Sequence, residues 1–112
     1  MGIRRNYKNI QHRFINSVCE YMENMLNIKV DFSYCEGSTC TFIFRYGGKE
    51  YRLVAEFHSP IDFRILPVDE YYGKPVKFKL YLGDKLIGET KTCLAGMLNL
   101  CLREIKLYIS HF

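Results

Sequence analysis

The sequence lacks the residue patterns that mark catalysis, cofactor binding or metal binding. Its five cysteines include no C-x-x-C pair, and its three histidines do not stand at the spacing of zinc ligands. The adjacent glycines Gly47 and Gly48 lie between two strand-like segments rather than before a helix, so they do not form a phosphate-binding loop. We therefore expect a protein that is not an enzyme and that holds no cofactor and no metal ion.

The sequence also has little that points to a membrane or to secretion. No segment approaches the roughly 18 consecutive apolar residues of a membrane span. The basic N-terminus is not followed by the apolar core of a signal peptide. The cysteine count is odd, and most cysteines have apolar neighbours, which favours buried free thiols over disulfides. These observations predict a cytoplasmic protein without a membrane partner.

A hairpin centred on the glycine pair is the clearest structural signal. Large apolar residues fall on even positions from Cys40 to Tyr46 and on odd positions from Tyr51 to Phe57, the period of a strand with one buried face. Two glycines tolerate positive φ at both central positions of a two-residue turn. With that turn, Phe44 opposes Tyr51 and Phe42 opposes Leu53, while Arg45 opposes Glu50 on the other face.

The flanking segments complete an α+β pattern. Apolar residues spaced by three and four predict a helix over residues 7–27. Residues 28–34 alternate as a strand, and a three-residue loop at 36–38 would pair Phe32 with Phe42 on the buried face. A short edge strand is expected at 61–65 and a hairpin at 76–90, with either a two- or a three-residue loop. A second helix is expected at 93–109, capped by Thr92.

The expected fold is a mostly antiparallel sheet of five or six strands, a meander plus a hairpin, flanked by an N-terminal and a C-terminal helix. Its 112 residues correspond to a single domain (1–112) with a basic arm at residues 1–6. The C-terminal helix carries more leucine than one buried stripe requires, namely Leu100, Leu102 and Leu107. A homodimer through this helix is therefore one hypothesis.

Positive charge is concentrated in two parts of the chain, although the net charge is only +4. Such clustering is typical of an acidic partner or a nucleic acid, but solubility alone also explains a surplus of this size. The candidate basic patch joins the N-terminal arm to the lysine-rich hairpin: Arg4, Arg5, Lys8, Arg13, Lys74, Lys77, Lys79 and Lys91.

A second candidate site is the loop between the third strand and the hairpin. Residues Asp69, Glu70, Tyr71 and Tyr72 place two acids beside two tyrosines, and exposed tyrosine is a favoured contact residue in protein interfaces. The alternative is that one tyrosine folds back against the sheet edge. We expect these four residues to bind a partner protein.

Catalysis has one candidate nucleophile, Cys93, because the N-terminus of a helix lowers the pKa of a thiol. The sequence places no base beside it, although His58 is available elsewhere in the chain.

The order of helix, strands and helix resembles that of the double-stranded-RNA-binding domain. The resemblance is carried by Gly88 to Thr92, which stands where that family has a phosphate-gripping loop before its second helix. Only Lys91 of the family's lysine pair is present, so the family's activity is not transferred to this chain.

The leading hypothesis is a small non-catalytic protein-binding module. Its size and lack of motifs are typical of phage or mobile-element accessory proteins, including those that inhibit a host defence nuclease by docking on it. The alternative is a nucleic-acid-binding protein that uses the basic N-terminal arm and the lysine-rich hairpin.

Overall fold

The computed structural model describes the backbone of residues 2–57 and 75–111, and the side chains of residues 14–57, 75–94 and 96–111. Helix α1 spans Gly2–Leu26, and α2 spans Leu98–Ser110. The strands are β1 (Val30–Glu36), β2 (Thr39–Tyr46), β3 (Lys49–Phe57), β4 (Pro75–Leu82), β5 (Lys85–Glu89) and β6 (Cys93–Leu94). The predicted edge strand at 61–65 and the loop residues Asp69, Glu70, Tyr71 and Tyr72 lie outside the described residues.

The strands form one antiparallel sheet in the order β1-β2-β3-β4-β5. The short strand β6 pairs with Pro75 and Val76 at the start of β4. The predicted α+β fold with two flanking helices is confirmed. Both helices cover one face of the sheet. The ring of Phe14 in α1 lies 6.2 Å from that of Phe42 and 5.3 Å from that of Phe57, and α2 places Tyr108 against Gly88. No helix among the described residues is long and apolar enough to cross a membrane.

The central hairpin has the predicted register. Tyr46 opposes Lys49, Phe44 opposes Tyr51, Phe42 opposes Leu53 and Arg45 opposes Glu50. Gly47 and Gly48 have φ of 61° and 77°, as a turn with two left-handed central residues requires. The inward side chains of this hairpin, Phe42, Phe44, Tyr51 and Leu53, are at most 1% exposed.

The β1–β2 connection differs from the prediction. The turn has two residues, Gly37 and Ser38, because Glu36 opposes Thr39. Next to the turn, the pairing is therefore shifted by one residue from the predicted register, and Phe32 opposes Ile43 instead of Phe42. An irregularity between Val30 and Phe32 then shifts the register by one residue, so that Val30 opposes Phe44, as the predicted three-residue loop requires. Gly37 in this turn has a left-handed conformation, with φ of 60°.

The β4–β5 hairpin combines the two registers that the sequence left open. Near the turn, Leu82 opposes Lys85, as a two-residue loop requires. A bulge then shifts the pairing, so that Lys79 opposes Glu89 as expected for the longer loop. Each edge of the five-strand path therefore contains one irregularity, and such irregularities discourage edge-to-edge pairing of sheets.

The helices also differ from the predicted bounds. The first begins at Gly2, so the backbone of residues 2–6 is helical. The second begins at Leu98 rather than at 93, because Cys93 and Leu94 pair with β4. Met97, not Thr92, is its N-cap residue. Met25 fits the apolar spacing that predicts the first helix, but its side chain is 62% exposed.

Four of the five cysteines are bonded rather than free, which corrects the sequence-based expectation. One disulfide joins Cys35 to Cys40 across β1 and β2, and another joins Cys93 to Cys101, linking β6 to α2. Cys19 alone is free. The sequence alone did not show that Cys35 and Cys40 are cross-strand neighbours, because this follows from the two-residue turn between β1 and β2.

Alkylation followed by mass spectrometry should count one free thiol in the denatured, unreduced protein and five after reduction. In the folded protein the single reaction should be slow at neutral pH, because burial raises the pKa of the Cys19 thiol more than its hydrogen bond with Ser33 lowers it. Five modified thiols without reduction would show that all the cysteines are free.

Replacing Gly88 by alanine should destabilise the fold. A Cβ at this position would lie 2.5 Å from Cγ of Tyr108, whose hydroxyl donates a hydrogen bond to the Glu89 carbonyl. We expect Gly88→Ala to lower the free energy of unfolding in urea by about 1–3 kcal/mol. In the Tyr108→Ala background the same substitution should cost much less, and equal costs in both backgrounds would disprove the contact.

Candidate functional site: the open face of the sheet

The face of the sheet opposite the helices carries a row of large side chains. The pairings Phe32–Ile43, Ile43–Arg52, Arg52–Tyr81 and Tyr81–Leu86 place one residue from each of the five strands side by side. With strands about 4.8 Å apart, the row extends about 19 Å across the sheet. We call Phe32, Ile43, Arg52, Tyr81 and Leu86 the open-face row.

The two ends of the row are its most exposed parts. Phe32 is 58% exposed and Leu86 46%. Beside Phe32, Tyr34 belongs to the next row of the same face, and the two rings lie 5.6 Å apart. Large apolar side chains that stay in contact with water on a continuous surface are characteristic of binding sites. Single exposed apolar residues scattered over a surface would carry no such implication.

Arg52 occupies the middle of the row. Its guanidinium carbon lies 4.7 Å from the centroid of the Tyr81 ring, a cation–π contact that places the guanidinium over that ring. Its Nε is buried and has no hydrogen-bond acceptor among the described residues. Arginine and tyrosine together are the residue types most enriched among the dominant contacts of protein interfaces.

A shallow depression lies between the row and the β4–β5 turn. It has a volume of about 180 Å³, and Ile43 and Arg52 line it together with the acids Glu50 and Asp84. Neither acid forms an ion pair with Arg52 among the described residues. The guanidinium therefore contacts an aromatic ring, and no carboxylate of the described residues is paired with it.

The lysines of the open face are neutralised by glutamates. Lys79 Nζ lies 3.2 Å from Glu56 Oε1, and Lys77 Nζ lies 3.4 Å from Glu89 Oε2. Glu56 raises the pKa of Lys79, because it accepts a hydrogen bond from the Lys79 ammonium group and because it carries a negative charge. Both pairs are partly exposed, so each contributes little to stability. Because of these two pairs, the part of the open face around Lys77 and Lys79 has little net positive charge.

The predicted basic patch is only partly visible. Lys77 and Lys79 lie on the open face, and Lys91 is exposed in the segment that follows β5. Lys74 and the side chains of Arg4, Arg5, Lys8 and Arg13 are outside the described part. The structure therefore brings together two of the eight residues, and both of these are ion-paired.

The sequence-based search missed the open-face row. The predicted three-residue loop placed Phe32 on the buried face, opposite Phe42. The sequence did contain one signal for the row. The predicted Arg45–Glu50 pair lies on the face opposite the core, and alternation along each strand places Ile43 and Arg52 on that same face. The bulge between Val30 and Phe32 left no comparable mark in the residue pattern.

A second exposed apolar surface lies on α2. Leu100 and Leu107 are 49% and 63% exposed, with Arg103 between them, whereas Leu102 is fully buried within the chain. Two of the three leucines that motivated the homodimer hypothesis therefore remain unexplained by the fold. The homodimer stays a prediction.

Cys93, the candidate nucleophile, is disulfide-bonded and lies in β6 rather than at a helix N-terminus. In this state it offers no thiolate. His58 lies outside the described residues.

Comparison with known proteins gives no match to a family model, to a curated sequence or to a solved structure.

If the open-face row serves binding rather than folding, removing its ends should cost little stability. We expect the double variant Phe32→Ser and Leu86→Ser to unfold in urea within about 1 kcal/mol of the wild type, as is usual for exposed positions. By contrast, Phe42→Ala on the buried face should cost about 3–5 kcal/mol. A large loss in the double variant would mean that the row supports the fold.

Proposed function

We propose that this protein is a small non-catalytic protein-binding module that docks on another protein through the open face of its sheet. The observation that supports this most is the open-face row, in which exposed Phe32 and Leu86 flank a tyrosine-stacked arginine. Protein interfaces have this composition, with aromatic and arginine anchors at the centre and charged groups around them. Here the surrounding charges are the lysine–glutamate pairs.

Nucleic-acid binding is the second candidate function. Exposed aromatic rings on an open antiparallel sheet are the platform on which some proteins stack single-stranded bases, and Phe32 and Tyr34 provide two such rings. Phosphate contacts, however, need unpaired positive charge along the strand. On this face Lys77 and Lys79 are paired with acids, and Arg52, which has no paired acid among the described residues, is a single charge beside Glu50 and Asp84. Protein docking is therefore favoured.

The finer proposal is that docking inhibits a host defence nuclease, as in accessory proteins of phages and mobile elements. Its support is the small size of the chain and the lack of a catalytic motif in its sequence. The proposed location is the cytoplasm. The two disulfides argue instead for an oxidising compartment, and the thiol count proposed above tests whether these bonds form.

An affinity pull-down with matched variants tests the proposed function. The wild-type chain should capture a stoichiometric protein partner, and the Phe32→Ser and Leu86→Ser variant should lose it, because the ends of the row are removed. The Leu100→Ser and Leu107→Ser variant is the control, since it removes two apolar side chains of similar exposure from α2.

Three outcomes would contradict the proposal. Capture that depends on the α2 leucines alone would move the interface to the helix. Capture of nucleic acid that weakens steeply with salt would favour the second candidate function. The absence of any stoichiometric partner would remove the docking function.

A further inference from the structure

From the surroundings of Arg52 we infer that the docking partner presents a carboxylate side chain, with apolar neighbours, to the centre of the open-face row. The inference rests on the proposed function, because it names the chemistry of the partner that would cover this face. The chemistry of the partner follows from the need of the Arg52 guanidinium for a counterion once a docked partner excludes water from it.

Arg52 is the only charged residue of the row. Ile43 precedes it and Tyr81 follows it in the cross-strand order, so any partner that covers the apolar parts must also cover the guanidinium. Burying a charge without a counterion is strongly unfavourable, and arginine binds carboxylates through paired, directional hydrogen bonds. The Tyr81 ring already holds the guanidinium in place, which lowers the entropy lost when such a pair forms.

The chain's own acids provide the competing explanation. Glu50 and Asp84 line the same depression as Arg52 and form no ion pair with it in the free protein. Glu50 instead lies opposite Arg45 in the register of β2 and β3. If Glu50 moved to Arg52 on docking, no carboxylate from the partner would be needed.

These two explanations predict opposite effects of one substitution. If the partner supplies the carboxylate, Glu50→Gln should strengthen binding, because a like charge beside the incoming group is removed. If Glu50 supplies it, the same substitution should weaken binding.

A nucleic-acid phosphate is also an anion that arginine binds in this way. The paired lysines and the two nearby acids make the surroundings of Arg52 less suitable for a polyanion than for a single carboxylate among apolar groups. We therefore argue for an acidic protein segment and use a nucleic acid as a competing probe.

The experiment uses a displayed library of random peptides selected on the immobilised full-length protein. Selections on the wild type should enrich aspartate or glutamate between apolar residues, and selections on Arg52→Gln should lose this preference. For a synthetic peptide from the wild-type pool, Arg52→Gln should weaken binding by roughly tenfold or more, whereas Arg103→Gln on α2 should leave binding unchanged.

A double-mutant cycle links the two charges. Replacing the acid of the peptide by its amide should weaken binding to the wild type and have little further effect on Arg52→Gln. Arg52→Lys should recover only part of the affinity, since an ammonium lacks the planar fork of donors.

The outcomes separate this inference from the proposed function. Peptides that require Phe32 and Leu86 but contain no acid would overturn the inference and leave protein docking intact. A library that yields no peptide dependent on the row would overturn both. Binding of oligothymidine that is lost in Arg52→Gln and Phe32→Ser would assign the face to phosphate and bases instead. Weaker peptide binding in Glu50→Gln would assign the counterion to the chain itself.

Discussion

The register of β2 and β3 across Gly47 and Gly48 is the constraint on which the rest of the structure depends. Because side chains alternate along a strand, this register places Phe42, Phe44, Tyr51 and Leu53 on one face and leaves the opposite face to other residues. The helices cover the first face, and the second face holds the open-face row. The core and the candidate site thus follow from a single turn.

The hairpin was predictable because its signals agree. The apolar period, the two glycines and the Arg45–Glu50 pair all require the same pairing, and the structure has it. The hairpin of β4 and β5 gave two registers, and a bulge combines them. The start of α2 was predicted too early because helical spacing continues through Cys93 and Leu94, although these residues pair with β4.

The candidate site was not predictable for a related reason. A strand that contains a bulge has no single period, so the pattern of β1 is compatible with Phe32 on either face. The cysteines show the same limit, since only the pairing of β1 with β2 makes Cys35 a neighbour of Cys40. The predicted contact loop at Asp69–Tyr72 lies outside the described residues and stays a prediction.

The most direct test of this account is the position of the Phe32 ring, measured by proton–proton nuclear Overhauser effects in the folded protein. We expect effects between the Phe32 ring and the methyl groups of Ile43, and between the Phe32 and Tyr34 rings. We expect none between Phe32 and the α1 residues Val18 and Met22. Effects from Phe32 to Phe42 or to α1 would place the ring in the core. The open-face row would then lose its end, and the docking surface would not exist as described.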